Sequence, residues 1–533
     1  MPRSFSLPKV SDINAGLLVA LVGIPQCLAY SMLSGLPPMY GLVTAAVPGI
    51  IAALFGRSSA VTVGPTNTTG LIILTSLTPW ATQPEQLLTA MATLAFLAGL
   101  SRLIIVLFKA ERIFDFVPEA VMVGFATGAA VIIAIMQLDE LLGPPFKDVR
   151  NVFNELQLLV TFNWLNTHLP SVVLGIIALL SVVLGKRYAP RWPIPLFVLV
   201  TSIAIVWLEP FSFSNQWVTL GESTVITEGW PQMSANLPSW TMIQALIIPG
   251  FAVAFIGSLE LIVTLRNRQE QSLLRAELGS QGFANIAGSF LGAFPASTSL
   301  TRSVLLDIGG AKTLWAPMIA ALALLPIIFF GAESIRNIPQ PVISGLLIAT
   351  ALSMLKPQAI RQMLKVNAQT RTLFLVTIIS TLVLNFHEAV LLGAALGIVL
   401  FLFQASQTNF FLYSVDNSGS LSLRKTTHET SALIQISGSL YFAAARQLPE
   451  RLEPLISKNI QTLYLDLSHA HHCRVAAVQA LLRFSEQCAF QNIQIEITGA
   501  NDELRQLTHS MGVRLPWSDQ KLSLSLTNTS LET

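Results

Sequence analysis

Gly288-Ser-Phe-Leu-Gly-Ala-Phe-Pro-Ala-Ser-Thr-Ser-Leu-Thr-Arg302-Ser-Val-Leu-Leu-Asp307 is the stretch on which the reading of this chain turns. Strongly apolar segments flank it, yet Ser297, Thr298, Ser299, Thr301, Arg302 and Ser303 fall within seven positions. Pro295 lacks an amide hydrogen and resists helix on its N-terminal side, while tolerating the first helical turn. The spacing therefore predicts extended backbone from Ala293 to Ala296 and a short helix beginning between Pro295 and Ser299. At membrane depth such a helix start leaves amide hydrogens without backbone partners. With the helix dipole and nearby hydroxyls it forms a site for an anion. Arg302 would stand about a turn inside that helix, a costly place for an isolated charge in lipid. A loop on the aqueous side, followed by an ordinary helix with Arg302 reaching the interface, is the equally open alternative.

The surrounding composition belongs to a membrane protein. Of 533 residues, 52% are hydrophobic and 11% charged, and the mean hydropathy is +0.62. Charges are sparse before about residue 410 and dense after it, so a large membrane domain precedes a soluble C-terminal one. A net charge of +2, with no basic–aromatic patch, gives no sign of nucleic-acid binding. Cys27, Cys473 and Cys488 form neither a pairable nor a metal-spaced set. The first apolar segment opens a long helix without a small-residue cleavage site behind it, which argues against a cleaved signal peptide.

Apolar segments near 13–34, 41–56, 66–79, 87–108, 117–138, 170–185 and 193–208 form a first set. A second runs near 242–265, 277–294, 296–308, 314–331, 340–355, 372–386 and 388–404. Together they predict a polytopic α-helical membrane protein of about fourteen spans. Segments 66–79 and 296–308 are too short to cross ~30 Å of hydrocarbon as helix alone, and each follows a proline, Pro65 or Pro295. Val117-Pro118-Glu-Ala-Val121-Met-Val-Gly124 resembles Ile338-Pro339-Gln-Pro-Val342-Ile-Ser-Gly345, and Ile24-Pro25 matches Ile248-Pro249. These pairs and the two prolines are offset by 221 to 230 residues. Two seven-span repeats follow, about 13–208 and 242–404, and an odd number of spans makes them inverted. Paired broken helices in inverted halves point to a transport site near the bilayer midplane.

Orientation is read from Lys and Arg. Lys109/Arg112, Lys186/Arg187/Arg191, Arg266/Arg268/Arg275 and Lys356/Arg361/Lys365/Arg371 share one face if the spans alternate, together with Arg3 and Lys9. Loop 209–241 has no Lys or Arg. Both termini are therefore expected in the cytoplasm, with the protein in the plasma (inner) membrane.

From Ser431 the pattern changes. Ala432 to Phe442 reads as strand, turn, strand, and Ala444 to Ile456 as a helix. A buried strand from Thr462 to Leu467, a helix from Val475 to Gln487 and a strand from Ile493 to Thr498 follow. A last helix runs from Asp502 to Met511 and is closed by Gly512. This alternation argues a small α/β domain. The expected layout is a cytoplasmic N-terminus (1–12), a membrane domain (13–408), a linker (409–430), the α/β domain (431–520) and a tail (521–533).

Asp12-x-x-Ala15-Gly16, Ile24-Pro25-Gln26, Ala29-Tyr30, Gly35-Leu36-Pro37-Pro38 and Gly41-Leu42 resemble the opening signature of the SulP anion transporters. That family holds sulfate carriers and chloride–bicarbonate exchangers. Val63-Gly64-Pro65, Pro118-x-x-Val121-x-x-Gly124-Phe125 and Gln281-Gly-x-Ala284-Asn285 continue the resemblance, as does Phe294-Pro295…Arg302-Ser303…Gly310-Ala311-x-Thr313. The C-terminal domain is similar to a STAS domain. The resemblance covers nearly the whole chain and implies a core and a gate domain, a homodimer, and an anion held between the facing N-termini of the third and tenth spans. It carries over Thr66, Asn67 and Thr68 from the third span and Ser297, Thr298 and Ser299 from the tenth. Arg302, Gln26 and Tyr30 complete the surroundings. Neutral donors with one cation suit an anion that must also leave. For Gln26 and Tyr30, hydrogen bonding between helices is an equal reading.

Glu260 lies mid-span in Gly257-Ser-Leu-Glu260-Leu-Ile-Val-Thr264, with Thr264 one turn later on the same face. A carboxylate there pairs with a cation or protonates. Na⁺-coupled family members resemble this segment but carry Asp, so the resemblance implies an ion-coupling role for Glu260 and Thr264. The longer Glu suits H⁺ at least as well as Na⁺, and a structural ion pair with Arg302 stays open. Regulatory STAS proteins carry an Asp and a phosphorylatable Ser where Arg474, Val475 and Ala476 stand, so no phosphorylation switch is expected at that place. His469, His471, His472 and Cys473 crowd one loop, and solvated loop histidines rather than zinc ligands are the expectation. No metal, cofactor or enzymatic activity is expected. The expected function is secondary active transport of an inorganic or small organic anion, sulfate first, by alternating access coupled to H⁺ or Na⁺. The rivals are a bicarbonate or dicarboxylate carrier and an anion channel or motor of the same family. A nucleobase carrier would share the implied fold but would need neither a STAS domain nor Arg302.

Overall fold

Two prolines interrupt apolar segments, and the backbone they leave unpaired sets the architecture. The structure, a computed structural model, describes residues 7–142, 168–189, 192–207, 218–234, 236–405, 409–415, 421–423, 430–439, 460–471 and 473–518. The chain divides into two units, Met1–Gly397 and Ile398–Thr533.

Helices stand where the apolar segments predict them. The first set is α1 (Val10–Leu33), α2 (Pro38–Phe55), α3 (Asn67–Leu77), α4 (Pro84–Leu107), α5 (Glu119–Met136), α6 (Leu169–Tyr188) and α7 (Ile194–Trp207). The second is α8 (Trp240–Asn267), α9 (Leu274–Ser289), α10 (Leu300–Ile308), α11 (Trp315–Leu322), α12 (Gln340–Met354), α13 (Ala368–Val383) and α14 (Phe386–Ala405). Among the described residues, seven helices are long and apolar enough to cross a membrane. Helices α3 and α10 have 11 and 9 residues, so each is roughly 14–17 Å long, about half the hydrocarbon thickness.

The tenth helix starts at the late end of the range that the spacing predicts. Extended backbone continues from Ala293 through β2 (Ser297–Thr298), and Ser299 caps α10. Strand β2 pairs antiparallel with β1 (Val63–Gly64), Val63 opposite Thr298 and Gly64 opposite Ser297. The Ser299 amide extends this bridge by donating to the Thr62 carbonyl at 2.9 Å. The physical reason is that non-helical backbone inside lipid must find internal partners. Each interruption supplies the other's.

Helix α4 packs on α8 and α9, and α2 on α1, α9 and α11. At the α4–α9 crossing a Cβ on Gly99 would lie 2.7 Å from the Gly282 carbonyl oxygen, the close approach that small residues allow in membranes. A second group joins α5 to α12 and α13, with α6 against α12. Helix α6 turns Val173, Ile177, Leu180 and Leu184 outward, a face suited to lipid rather than water. Buried Asp12 accepts from the Lys312 and Thr313 amides at 2.7 and 3.0 Å and from the Thr313 hydroxyl at 2.8 Å. It thereby ties the turn after α10 to the start of α1. In the same way Glu277 of α9 accepts from the Arg57 and Ser58 amides that follow α2.

The second unit is built on a sheet ordered β4-β3-β5-β6-β8. Its strands are β3 (Asn409–Val415), β4 (Leu421–Leu423), β5 (Ser431–Ser439), β6 (Thr462–Asp466), β7 (Ala470–His471) and β8 (Gln494–Thr498), with helices α15 (Val475–Phe490) and α16 (Asp502–Ser510). Strands β5, β6 and β8 run parallel, and β3 runs antiparallel to β4 and β5. Two expectations are corrected here. Residues 409–430 are not simply a linker, because β3 and β4 come from them and Leu412 is buried in the core. The turn expected between Ala432 and Phe442 is not found within 432–439, where β5 is continuous and β7 pairs with Gly438 and Ser439, and the rest of that stretch lies outside the described residues. The helix expected from Ala444 to Ile456 lies outside the described residues, as does His472. Gly512 ends α16 with φ +66°, the left-handed closure predicted for it.

Cys473 and Cys488 lie in this core. Burial pushes both thiols up to about 11, with the Glu503 carboxylate adding to the effect at Cys473. At pH 8 the reactive thiolate is then only about one part in a thousand. Both cysteines are expected to resist maleimide in the folded protein and to label fully in denaturant, as read by mass spectrometry.

Candidate anion and coupling-ion site

The β1–β2 bridge sets the starts of α3 and α10 beside each other. The Thr66 hydroxyl caps α3 by accepting from the Thr69 amide, and the Ser299 hydroxyl caps α10 by accepting from the Arg302 amide. Short hydroxyl side chains suit both places because they replace a missing helical carbonyl. Side chains also satisfy the extended run before β2. Asn285 donates to the Ala296 carbonyl at 3.0 Å and accepts from its amide at 2.7 Å. The Thr44 hydroxyl accepts from the Phe294 amide at 3.0 Å.

Arg302 is 3% exposed. From α10 its guanidinium reaches across the bridge, donating to the Pro65 carbonyl at 2.9 Å and to Cys27 Sγ at 3.3 Å. Gly64 makes room for it, since a Cβ there would fall 2.8 Å from the guanidinium. Its Nε–H is buried without a partner. Arg302 hydrogen-bonds to backbone and thiol rather than to Glu260, so the ion pair that the sequence left open is not formed.

Glu260 is buried in α8. Its carboxylate accepts from the Thr68 hydroxyl and, at 3.4 Å, from the Thr66 hydroxyl. Thr264 is close in space as its spacing predicts, but its hydroxyl donates to the Glu260 main-chain carbonyl at 2.9 Å. That local back-bond is a common fate of Thr inside a helix. The carboxylate's hydroxyl partners therefore come from α3 and not from its own helix.

A second arginine, absent from the residues expected at the site, completes it. Arg102 of α4 is 0% exposed and donates to the Ala296 carbonyl at 2.8 Å and to Ser297 Oγ at 3.1 Å. A Cβ at Gly257 would lie 2.1 Å from both an Arg102 nitrogen and Ser297 Oγ, so α8 carries no side chain where the guanidinium enters. The Arg102 charge acts on Glu260 more strongly than that of Arg302. A lone arginine inside the 87–108 apolar segment was itself the signal. Lys109 and Arg112 mask it, because they place a basic cluster just beyond the same segment.

Residues 10–406 match the sulfate permease family, and residues 422–517 match the STAS domain. The chain belongs to the sulfate permease family. It is an integral membrane protein with a C-terminal STAS domain. Sulfate transporter 4.1 of Arabidopsis thaliana is 24% identical to this permease, over 92% of the chain and 75% of its own length. The bicarbonate transporter BicA of a Picosynechococcus species is 23% identical, over 93% and 89% respectively. The structure of the murine Slc26a9 anion transporter in its inward-facing state superposes with a TM-score of 0.82 at 18% identity. That match covers 96% of this chain and 88% of the other, and it establishes the fold.

The remaining predicted residues of the permease divide between two sides of the bridge. Ser297 faces Arg102, while Thr298 faces α9 and accepts from Gln281 at 2.7 Å. Asn67 is half-buried, and its side-chain oxygen accepts from the Thr68 amide at 3.0 Å. Gln26 keeps a buried amide oxygen without a partner. Tyr30 is 4% exposed, with its hydroxyl beside Thr350 of α12. Gln281 and Asn285, present in the sequence only as parts of a family-like motif, hold Thr298 and Ala296 in place.

Proposed function

We propose that this permease is a secondary active transporter of an inorganic or small organic anion, with sulfate first. It works by alternating access, with coupling to H⁺ or Na⁺ through Glu260. The observation that carries this reading is the β1–β2 bridge, which joins two capped half-helices and holds Arg302 at the joint. Helix starts, hydroxyls and a buried guanidinium together favour an anion. The anion lies between Thr66, Asn67 and Thr68 on one side and Ser297, Ser299 and Arg302 on the other. Gln26 and Tyr30 of α1 close the site, and Thr298 supports it from behind. Bicarbonate is the second substrate, favoured by the likeness to BicA.

The layout proposed is two inverted repeats, 13–208 and 242–404. Helices α1–α4 with α8–α11 form the core and the others the gate, and one group rocks against the other. Both termini are cytoplasmic in the plasma (inner) membrane, and the protein is a homodimer. Purified protein in proteoliposomes, supplied with sulfate, bicarbonate and dicarboxylates under H⁺ or Na⁺ gradients, tests the reading. Saturable uptake with counterflow is expected. Flux that neither saturates nor shows counterflow would mark a channel.

The STAS domain is proposed to stand outside the anion site. Removing residues 420–533 is expected to leave anion binding measurable by calorimetry while rate or dimer stability falls. Loss of binding in a folded truncation would assign the domain a part in the site.

A further inference from the structure

Two oxygens just before α10, the Ala296 carbonyl and the Ser297 hydroxyl, would suit a bare cation, together with the carboxylate of Glu260, which stands one turn along α8 from the Gly257 that adjoins Ser297. Hard cations are held by such oxygen sets, and a coupling Na⁺ would be expected among them. The first two oxygens, however, are occupied by Arg102, whose terminal nitrogens donate to them at 2.8 and 3.1 Å. Gly257, one turn before Glu260 on α8, leaves the space that the guanidinium fills. Arg102 is 0% exposed, and its charge acts on Glu260. We propose that Arg102 is the resident cation of this permease, filling the place of a coupling Na⁺, so that transport is independent of Na⁺ and the coupling ion is the proton on Glu260.

Arg102 and Asn285 both donate to the Ala296 carbonyl and Arg102 also to the Ser297 hydroxyl, so a Na⁺ would have to displace a donor, and beside the guanidinium it would meet like-charge repulsion in a weakly screened site. A proton avoids both obstacles, because it binds the carboxylate itself. Facing Glu260 are the Thr66 and Thr68 hydroxyls of α3, Arg102 of α4, Arg302 of α10 and Tyr30 of α1. With Glu260 ionised, the two arginines leave this group a single positive charge, and protonation raises it to two. Proton binding therefore strengthens the hold on an anion with no metal ion taking part.

This inference rests on Glu260 being the coupling carboxylate, and its test can be separated from that reading. Thermal unfolding of the purified full-length protein is compared in matched NaCl and choline chloride. Uptake into proteoliposomes under an inward proton gradient is compared in the same two salts. The wild type is expected to show no Na⁺-dependent stabilisation, with uptake equal within about twofold, since a ligand that does not bind cannot shift stability. Arg102→Met removes the guanidinium from both oxygens while keeping bulk, and leaves the Ala296 carbonyl with Asn285 as its remaining donor. It is expected to become Na⁺-stabilised and to lose at least about tenfold in uptake without Na⁺. Arg102→Lys keeps the charge and is expected to remain indifferent to Na⁺. A wild type stabilised by Na⁺, or one whose uptake collapses without it, overturns the proposal. So does a folded Arg102→Met that stays indifferent. If Arg102→Met does not fold, the wild type and Arg102→Lys decide. Absent uptake of every anion would refute the transport reading instead, and the Na⁺ dependence of unfolding would still decide whether Arg102 fills a cation's place.

Discussion

Glu260→Gln is expected to abolish anion accumulation driven by an ion gradient while leaving anion binding and exchange in place. In the wild type this buried carboxylate accepts from Thr68 and Thr66 and feels the charge of Arg102. Bare in apolar surroundings, an ionised carboxylate costs several kcal/mol. An empty carrier that must move this group between two faces therefore returns poorly until a proton, or another cation, has joined it. That requirement ties anion uptake to the ion's gradient. Gln imitates the protonated side chain and still offers an oxygen to Thr68, so the site remains formed and the empty carrier returns without an ion. The accumulation ratio then falls to unity under any gradient, while anion counterflow continues. Uptake is measured under an inward proton gradient, then under an inward Na⁺ gradient at fixed pH, in both proteins. Unimpaired accumulation by the variant removes Glu260 from coupling, and wild-type uptake driven by Na⁺ alone overturns the proton assignment.

Arg302→Ala is expected to weaken the binding of every anion by one to two decades, corresponding to a charge-assisted interaction of ~1.5–3 kcal/mol. The same side chain donates to the Pro65 carbonyl and to Cys27, so its loss also leaves a buried carbonyl without this donor, at ~1–3 kcal/mol of stability. The two effects separate cleanly. Stability without anion is read from the unfolding midpoint, and affinity from the anion-dependent rise in that midpoint. Arg302→Lys restores charge without the planar fork that bridges Pro65 and Cys27. It is expected to regain part of the anion affinity but little of the stability. Unchanged affinity in a folded Arg302→Ala would leave Arg302 as a tether between α10 and the segment before α3.

What the sequence by itself determined is local. Apolar segments of spanning length, prolines at 65 and 295, and Ser or Thr after each of them are enough to predict broken helices with hydroxyl-rich starts. Propensity, hydrophobicity and capping all act within a turn or two of chain. The same locality explains why Val475–Phe490 was legible as a helix and why β3 and β4 were missed, since their pairing with each other and with β5 is what makes them strands. Only the tertiary structure decided that β1 and β2 bridge, so that α10, capped by Ser299, starts at the late end of the expected range. It alone decided that Arg302 serves Pro65 and Cys27, that Thr264 turns its hydroxyl to its own helix, and that Arg102 stands beside Ser297. A charged side chain in an apolar segment announces that some partner must exist, because its desolvation is otherwise too costly. Which partner it finds depends on helices brought together from nearly two hundred residues away, and packing settles that.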